Sequence, residues 1–185
     1  MTSLMLKRAL KVIGQHALTI VVGIFFTLFF AGAISHRIGM FLYTLCLGLV
    51  YFSVVYGVGW DFGNRDSKSY STDKPYPFKG LYIGLYASIP SALLVLLYYL
   101  DKTNVLPLSW HIQGEAFHVL EPIMRIWFIM FLAFINSLSE RFVAIYACVL
   151  IVMPLFVWYG YVSGTKKKYL TYGFMQKLMY KKQKK

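Results

Sequence analysis

The chain has 185 residues and a formal net charge of +12, yet only 14% of its residues are charged while 58% are hydrophobic and 18% aromatic. Soluble domains carry roughly a quarter charged residues, so a soluble enzyme or nucleic-acid-binding domain is excluded in favour of an all-α membrane protein. Cys46 and Cys148 both fall in apolar runs, which gives no disulfide framework and reads as two buried free thiols.

The N-terminal stretch carries Lys7, Arg8 and Lys11 and then runs into a first apolar segment, about 17–34. A cleaved signal peptide has a shorter apolar core, so a retained span is expected here, closely followed by a second at about 39–58. Tyr43, Tyr51, Phe52 and Tyr56 lie in that second span, as interfacial anchors near its ends and packing groups in its middle. A polar loop is then expected over 59–79. It contains Asp61, Arg65, Asp66, Lys68, Asp73, Lys74 and Lys79, a Gly63-Asn64 turn, and a stiff Pro75-Tyr76-Pro77 exit. Two readings stand for it: a solvated connector, or an ordered docking element. In the second, Arg65 is held between Asp61 and Asp66 and Trp60 packs at the helix end, which makes Asp61, Arg65, Asp66 and Lys79 the candidate binding residues.

The third span, about 80–100, repeats a small residue every fourth position at Gly80, Gly84, Ser88 and Ala92. Such a stripe predicts a close helix contact, with another span or with a second copy, and Gly23, Thr27 and Ala31 offer a matching stripe. Pro90 lies near the middle of this span, and Pro154 near the middle of the last, about 143–162. Paired kinks of this kind occur at transport sites. The spans themselves carry no charged residue, which argues against a proton relay or voltage sensor.

Between these spans the longest apolar run, Ile126 to Ile135, is too short to cross a bilayer. Charge decides the topology. With four spans and both termini cytoplasmic, fifteen of the nineteen basic residues lie inside, leaving Arg37, Lys102, Arg125 and Arg141 outside. The segment 122–138 is therefore expected as an additional interfacial or re-entrant helix on the outer face, with Pro122 in its first turn and a Glu121–Arg125 ion pair. Residues 1–165 form the transmembrane domain in this reading, and 166–185 a basic cytoplasmic tail. Leu170, Phe174 and Leu178 are spaced by four among lysines there, as suits a segment lying on anionic headgroups.

Metal chemistry has one candidate: His111, Glu115 and His118, at i, i+4 and i+7, share a face if the segment is helical, and His36 is placed to complete the set. No cofactor, phosphate loop, nucleophile with a base, or nucleic-acid module is recognisable. The stretch WDFGNRD, followed by KGLYIGLYASIP, resembles a family of small multispan membrane proteins of Gram-positive bacteria that carries no established activity. The resemblance implies a bacterial plasma membrane, marks Asp61, Arg65, Asp66, Lys79, Gly80, Gly84 and Pro90, and implies no reaction. The expected function is that of a non-enzymatic subunit or accessory protein of a membrane assembly. The alternatives are a small oligomeric transporter or channel with a cavity near Pro90 and Pro154, and an intramembrane or metal-dependent enzyme using His111, Glu115 and His118.

Overall fold

A computed structural model describes residues 2–30, 32, 36–71, 73–103, 109–112, 115–118, 120–132, 135 and 143–167. Among the described residues the chain forms five α-helices: α1 (Thr2–Phe29), α2 (Arg37–Asp66), α3 (Lys79–Lys102), α4 (Leu120–Trp127) and α5 (Val143–Thr165). A 3-10 turn, Ile129–Phe131, follows α4. The strands β1 (Ser109–Ile112) and β2 (Glu115–His118) pair antiparallel between α3 and α4. Four of the helices are long and apolar enough to cross a membrane. The shortest of these four helices, α5, has 23 residues and reaches about 35 Å against a hydrocarbon core of about 30 Å. Four such helices fit a multi-pass membrane protein.

Two helices run further than hydropathy suggests. In α1 the helix continues back through Lys11, Arg8 and Lys7 to Thr2, because straight-chain basic residues are good helix formers and no proline intervenes. His16 therefore stands in the middle of a helix and not before a span. In α2 the helix continues to Asp66, so 59–66 is not a loop and Gly63-Asn64 is not a turn. Ser67 ends it, its N–H bonding the Gly63 carbonyl at 3.1 Å and its hydroxyl donating to the Asn64 carbonyl at 2.9 Å.

Helix α5 is the centre of the bundle. Its apolar residues are spread evenly around the axis, and a stripe of them, Cys148, Ile151, Leu155 and Tyr159, faces outward. It packs along α2 on one side and α3 on the other, while α1 leans on α2 and α3. Both main contacts are close enough that glycine is required. On α2, a Cβ at Gly59 would stand 2.5 Å from the Val157 carbonyl oxygen, and one at Gly63 would collide with the carbonyl of Tyr161. The contact is reciprocal, since Gly160 and Gly164 of α5 meet the carbonyls of Tyr56 and Trp60. Each helix thus carries its own small-xxx-small pair facing the other.

On α3, Gly80 lies against Tyr161 and Trp158, and a Cβ at Gly84 would come within 2.5 Å of the Pro154 Cα. Ser88 is buried but Ala92 is exposed. A strict four-residue repeat drifts about 40° per step around an α-helix, so by Ala92 the stripe has rotated to the outside. Ser91, Val95 and Tyr98 continue the buried face in its place. The partner of the α3 stripe is α5. Gly23 of α1 instead faces Ile129 and Met130, and Thr27 donates back to the Gly23 carbonyl at 2.7 Å; Ala31 lies outside the described residues.

In the segment expected over 122–138, the described residues form the end of α4 and the 3-10 turn, with Leu132 and Ile135 also helical. Met124, Phe128, Ile129 and Met130 are buried, wedged among α1, α2 and α3. Residues 133, 134 and 136–138 lie outside the described set. Cys46 and Cys148 are exposed, not buried: an apolar run in a helical bundle has an outward face as well as one packed on its neighbours.

Gly63→Ala and Gly160→Ala should each lower the thermal midpoint of the detergent-solubilised protein, through overpacking that costs about 1–3 kcal/mol. Gly48 and Gly57, which open into free space, should accept alanine with an unchanged or slightly raised midpoint. Equal midpoints for all four variants would contradict the close α2–α5 contact.

Candidate functional site: a buried charge cluster and an interior histidine

Asp66 is the last residue of α2, and its side chain is 0% exposed. An isolated carboxylate in such a place is expensive. Arg8 of α1 meets it with two hydrogen bonds, Nη1 to Oδ2 at 2.8 Å and Nη2 to Oδ1 at 2.6 Å. The Lys79 ammonium of α3, itself 2% exposed, is 2.7 Å from Oδ2, and the Tyr161 hydroxyl of α5 donates to Oδ2 at 2.8 Å. Asp73 supplies the second negative charge, 3.4 Å from Lys79 and 3.9 Å from Arg8. Two cations and two anions therefore balance, and the forked Arg8–Asp66 geometry is the strong form of such a pair. The guanidinium also lies 5.5 Å over the Phe62 ring. One carboxylate joins all four long helices at one end of the bundle.

The sequence-marked residues divide at this point. Asp66 and Lys79 are in the cluster. Asp61 and Arg65 sit on the outer side of α2, paired with each other at 3.0 Å, and Lys11 reaches Asp61 at 3.3 Å. Arg65 is not held between Asp61 and Asp66. On a helix Asp61 and Arg65 share a face, whereas Asp66 is turned about 100° away into the bundle. The side chain of Arg65 is 63% exposed. Trp60 contributes backbone to the contact with Gly164. The residues missed were Arg8, Asp73 and Tyr161. A helical signal for Arg8 was present, since Arg8, Val12, His16 and Thr19 form an i, i+4, i+8, i+11 row whose last three members are buried. Treating the basic start as a flank hid it.

The helix assumed for the metal candidates is absent. His111 pairs with Ala116, Ile112 with Glu115 and Ser109 with His118 across the hairpin, so the i, i+4, i+7 face does not exist. Among the described residues there is no group of three or more His, Cys, Asp or Glu that could hold a metal ion. The expected Glu121–Arg125 ion pair forms, at 2.9 Å.

Deeper in the bundle, His16 is 3% exposed. Its ring lies 5.6 Å from that of Tyr51, edge to face, and 5.2 Å from that of Trp127. Trp127 in turn donates Nε1–H to the Ser91 hydroxyl at 2.8 Å. A cavity of about 10 Å³ lies among His16, Tyr51, Ser88, Ser91, Leu150 and Met153, between the levels of Pro90 and Pro154. It has the size of one water molecule and not of a substrate.

At the cluster end, a surface groove of about 340 Å³ is walled by Pro75, Tyr76, Pro77, Val162 and Thr165, with Lys166 among its lining residues. Trp158 holds the groove's proline wall by donating to the Pro77 carbonyl at 2.9 Å. Burial, with Tyr82, Asp73 and Tyr86 nearby, pushes the Tyr76 phenol above its usual pKa, so it remains a protonated donor. Compared with family models, with curated proteins and with solved structures, the chain matches none.

Asp66→Asn should leave two buried cations short of a counter-charge and cost about 3–5 kcal/mol. Arg65→Ala, which breaks a surface pair, should cost under about 1 kcal/mol. The fraction of each variant that stays monodisperse after heating in detergent measures the contrast. Equal losses would mean that the cluster does not carry the fold.

Proposed function

We propose that the chain is a non-enzymatic subunit or accessory protein of a bacterial plasma-membrane assembly, with the charge-cluster end cytoplasmic. The observation that carries this reading is the internal closure of the bundle. Among the described residues the charges of the cluster neutralise one another, and the cavity beside His16 is no larger than a water. On this reading the protein meets other molecules at its surface. Lys68, Lys74, Lys166 and Lys167 are exposed around the cluster end, and the basic residues of 168–185 follow them in sequence. An excess of lysine and arginine on one side favours that side as cytoplasmic. Anionic headgroups are the complementary lipid partner for these lysines and the groove beside Lys166. A membrane protein or a second copy of the chain is the proposed partner for the apolar outer faces. On this reading 122–138 enters from the outer side as a re-entrant element.

The test is native mass spectrometry of the protein extracted in mild detergent, with a stoichiometric second chain or a defined oligomer expected. A lone monomer at every detergent concentration would overturn the assembly reading. For orientation, Gln176→Cys in a cysteine-free background should react with a membrane-impermeant maleimide only after the cells are permeabilised. Labelling of intact cells would reverse the proposed topology.

A second reading, a small oligomeric transporter or channel, is favoured by His16, because an ionisable side chain inside a bundle at membrane depth marks a pathway more often than a scaffold. Solute or ion flux in liposomes that His16→Phe abolishes would favour this reading.

A further inference from the structure

We infer that the cavity beside His16 is a water-binding site, and that one water molecule is the hydrogen-bond partner of the His16 imidazole. Four observations converge on this small volume. First, both ring nitrogens of His16 are buried and lack a hydrogen-bond partner among the described residues; the Trp127 backbone approaches the ring without hydrogen-bond geometry. A buried imidazole has one donor and one acceptor, and leaving both unmade costs as much as losing two hydrogen bonds.

Second, the space adjoining the ring is about 10 Å³, which is the lower limit for holding a water and too small for any larger ligand. Third, hydroxyl-bearing residues stand around it, although the surface opening into it is almost entirely apolar. The Ser88 hydroxyl spends its proton on the Leu85 carbonyl at 2.9 Å and keeps lone pairs to accept with. The Ser91 hydroxyl accepts from Trp127 Nε1 and keeps a proton to donate. Fourth, Leu150 is in the wall, and its carbonyl is the one that Pro154, four residues on, deprives of a helical N–H. A ligand of this size must both donate and accept, and must find two to four partners. Water meets that description, and the unpaired imidazole supplies the reason for it to enter.

The site joins four elements, with Leu150 coming from α5. His16 comes from α1, Ser88 and Ser91 from α3, and Trp127 from α4, so the water completes the hydrogen bonding that seats the wedge after α4 against the bundle. Tyr51, Phe128, Phe131, Val149 and Met153 close the remaining walls and bring no carboxylate or ammonium group to the ring. The imidazole is thus solvated by one molecule instead of being paired with a charge.

The test is solid-state NMR of the ¹⁵N-histidine-labelled protein in liposomes, with the His16 signal assigned by its loss in His16→Gln. The expected result is a cross-peak between water protons and the His16 ring. Ser88→Val puts a methyl group into the cavity and should remove that cross-peak while the His16 ring signal persists. Absence of the cross-peak in the unsubstituted protein, or its persistence in Ser88→Val, would overturn the assignment. Should Ser88→Val fail to accumulate, the unsubstituted protein decides alone, since the cross-peak supports the site and its absence removes it.

Discussion

A carboxylate that has left water must be answered by its surroundings, and the shape of this bundle follows from how Asp66 is answered. Its oxygens take hydrogen bonds from Arg8, Lys79 and Tyr161, one group from each of the other long helices. That arrangement requires the ends of α1, α2, α3 and α5 to lie at one level, which in turn sets the alternating direction of the helices. It also requires α5 to approach α2 and α3 closely. Tyr161 meets both demands: its backbone lies against Gly63, its ring stem against Gly80, and its hydroxyl on Asp66. The glycines and the charges are therefore parts of one arrangement, because glycine lets the tyrosine come near enough to reach the carboxylate.

The existence of four spans was legible because long apolar runs admit few other structures in a bilayer. Their ends were not. Hydropathy falls at Trp60-Asp61 and rises at Ala17, so composition places boundaries there, whereas helix propensity carries α2 to Asp66 and α1 back to Thr2. Lys and Arg at a helix end resemble a loop in composition and a helix in conformation. The Gly59/Gly63 and Gly160/Gly164 pairs were readable as matching small-xxx-small motifs, but assigning the first pair to a loop removed it from consideration. Only tertiary structure brings Arg8 to Asp66 across 58 positions. From sequence alone Lys7, Arg8 and Lys11 are equivalent candidates, and Asp61, Asp66 and Asp73 likewise.

The candidate metal triad illustrates the opposite error. Its spacing has meaning only on a helix, and Gly114 between His111 and Glu115 weakens that premise. The hairpin replaces a period of 3.6 with a period of two. His16 was passed over for a related reason: as the last polar residue before an apolar run it looked like a flank, whereas a helix beginning at Thr2 carries it well inside the bundle.

The cluster also bears on how the protein is made. A ribosome delivers Arg8 first, Asp66 and Lys79 much later, and Tyr161 last, and a nascent chain folds roughly in that order. Until α5 arrives, Asp66 lacks one of its donors and the glycine faces of α2 and α3 have nothing to close on. A chain halted before α5 would present an incompletely solvated carboxylate and two open backbone grooves to the lipid. Such features distinguish the unfinished bundle from the finished one, and both disappear when α5 docks.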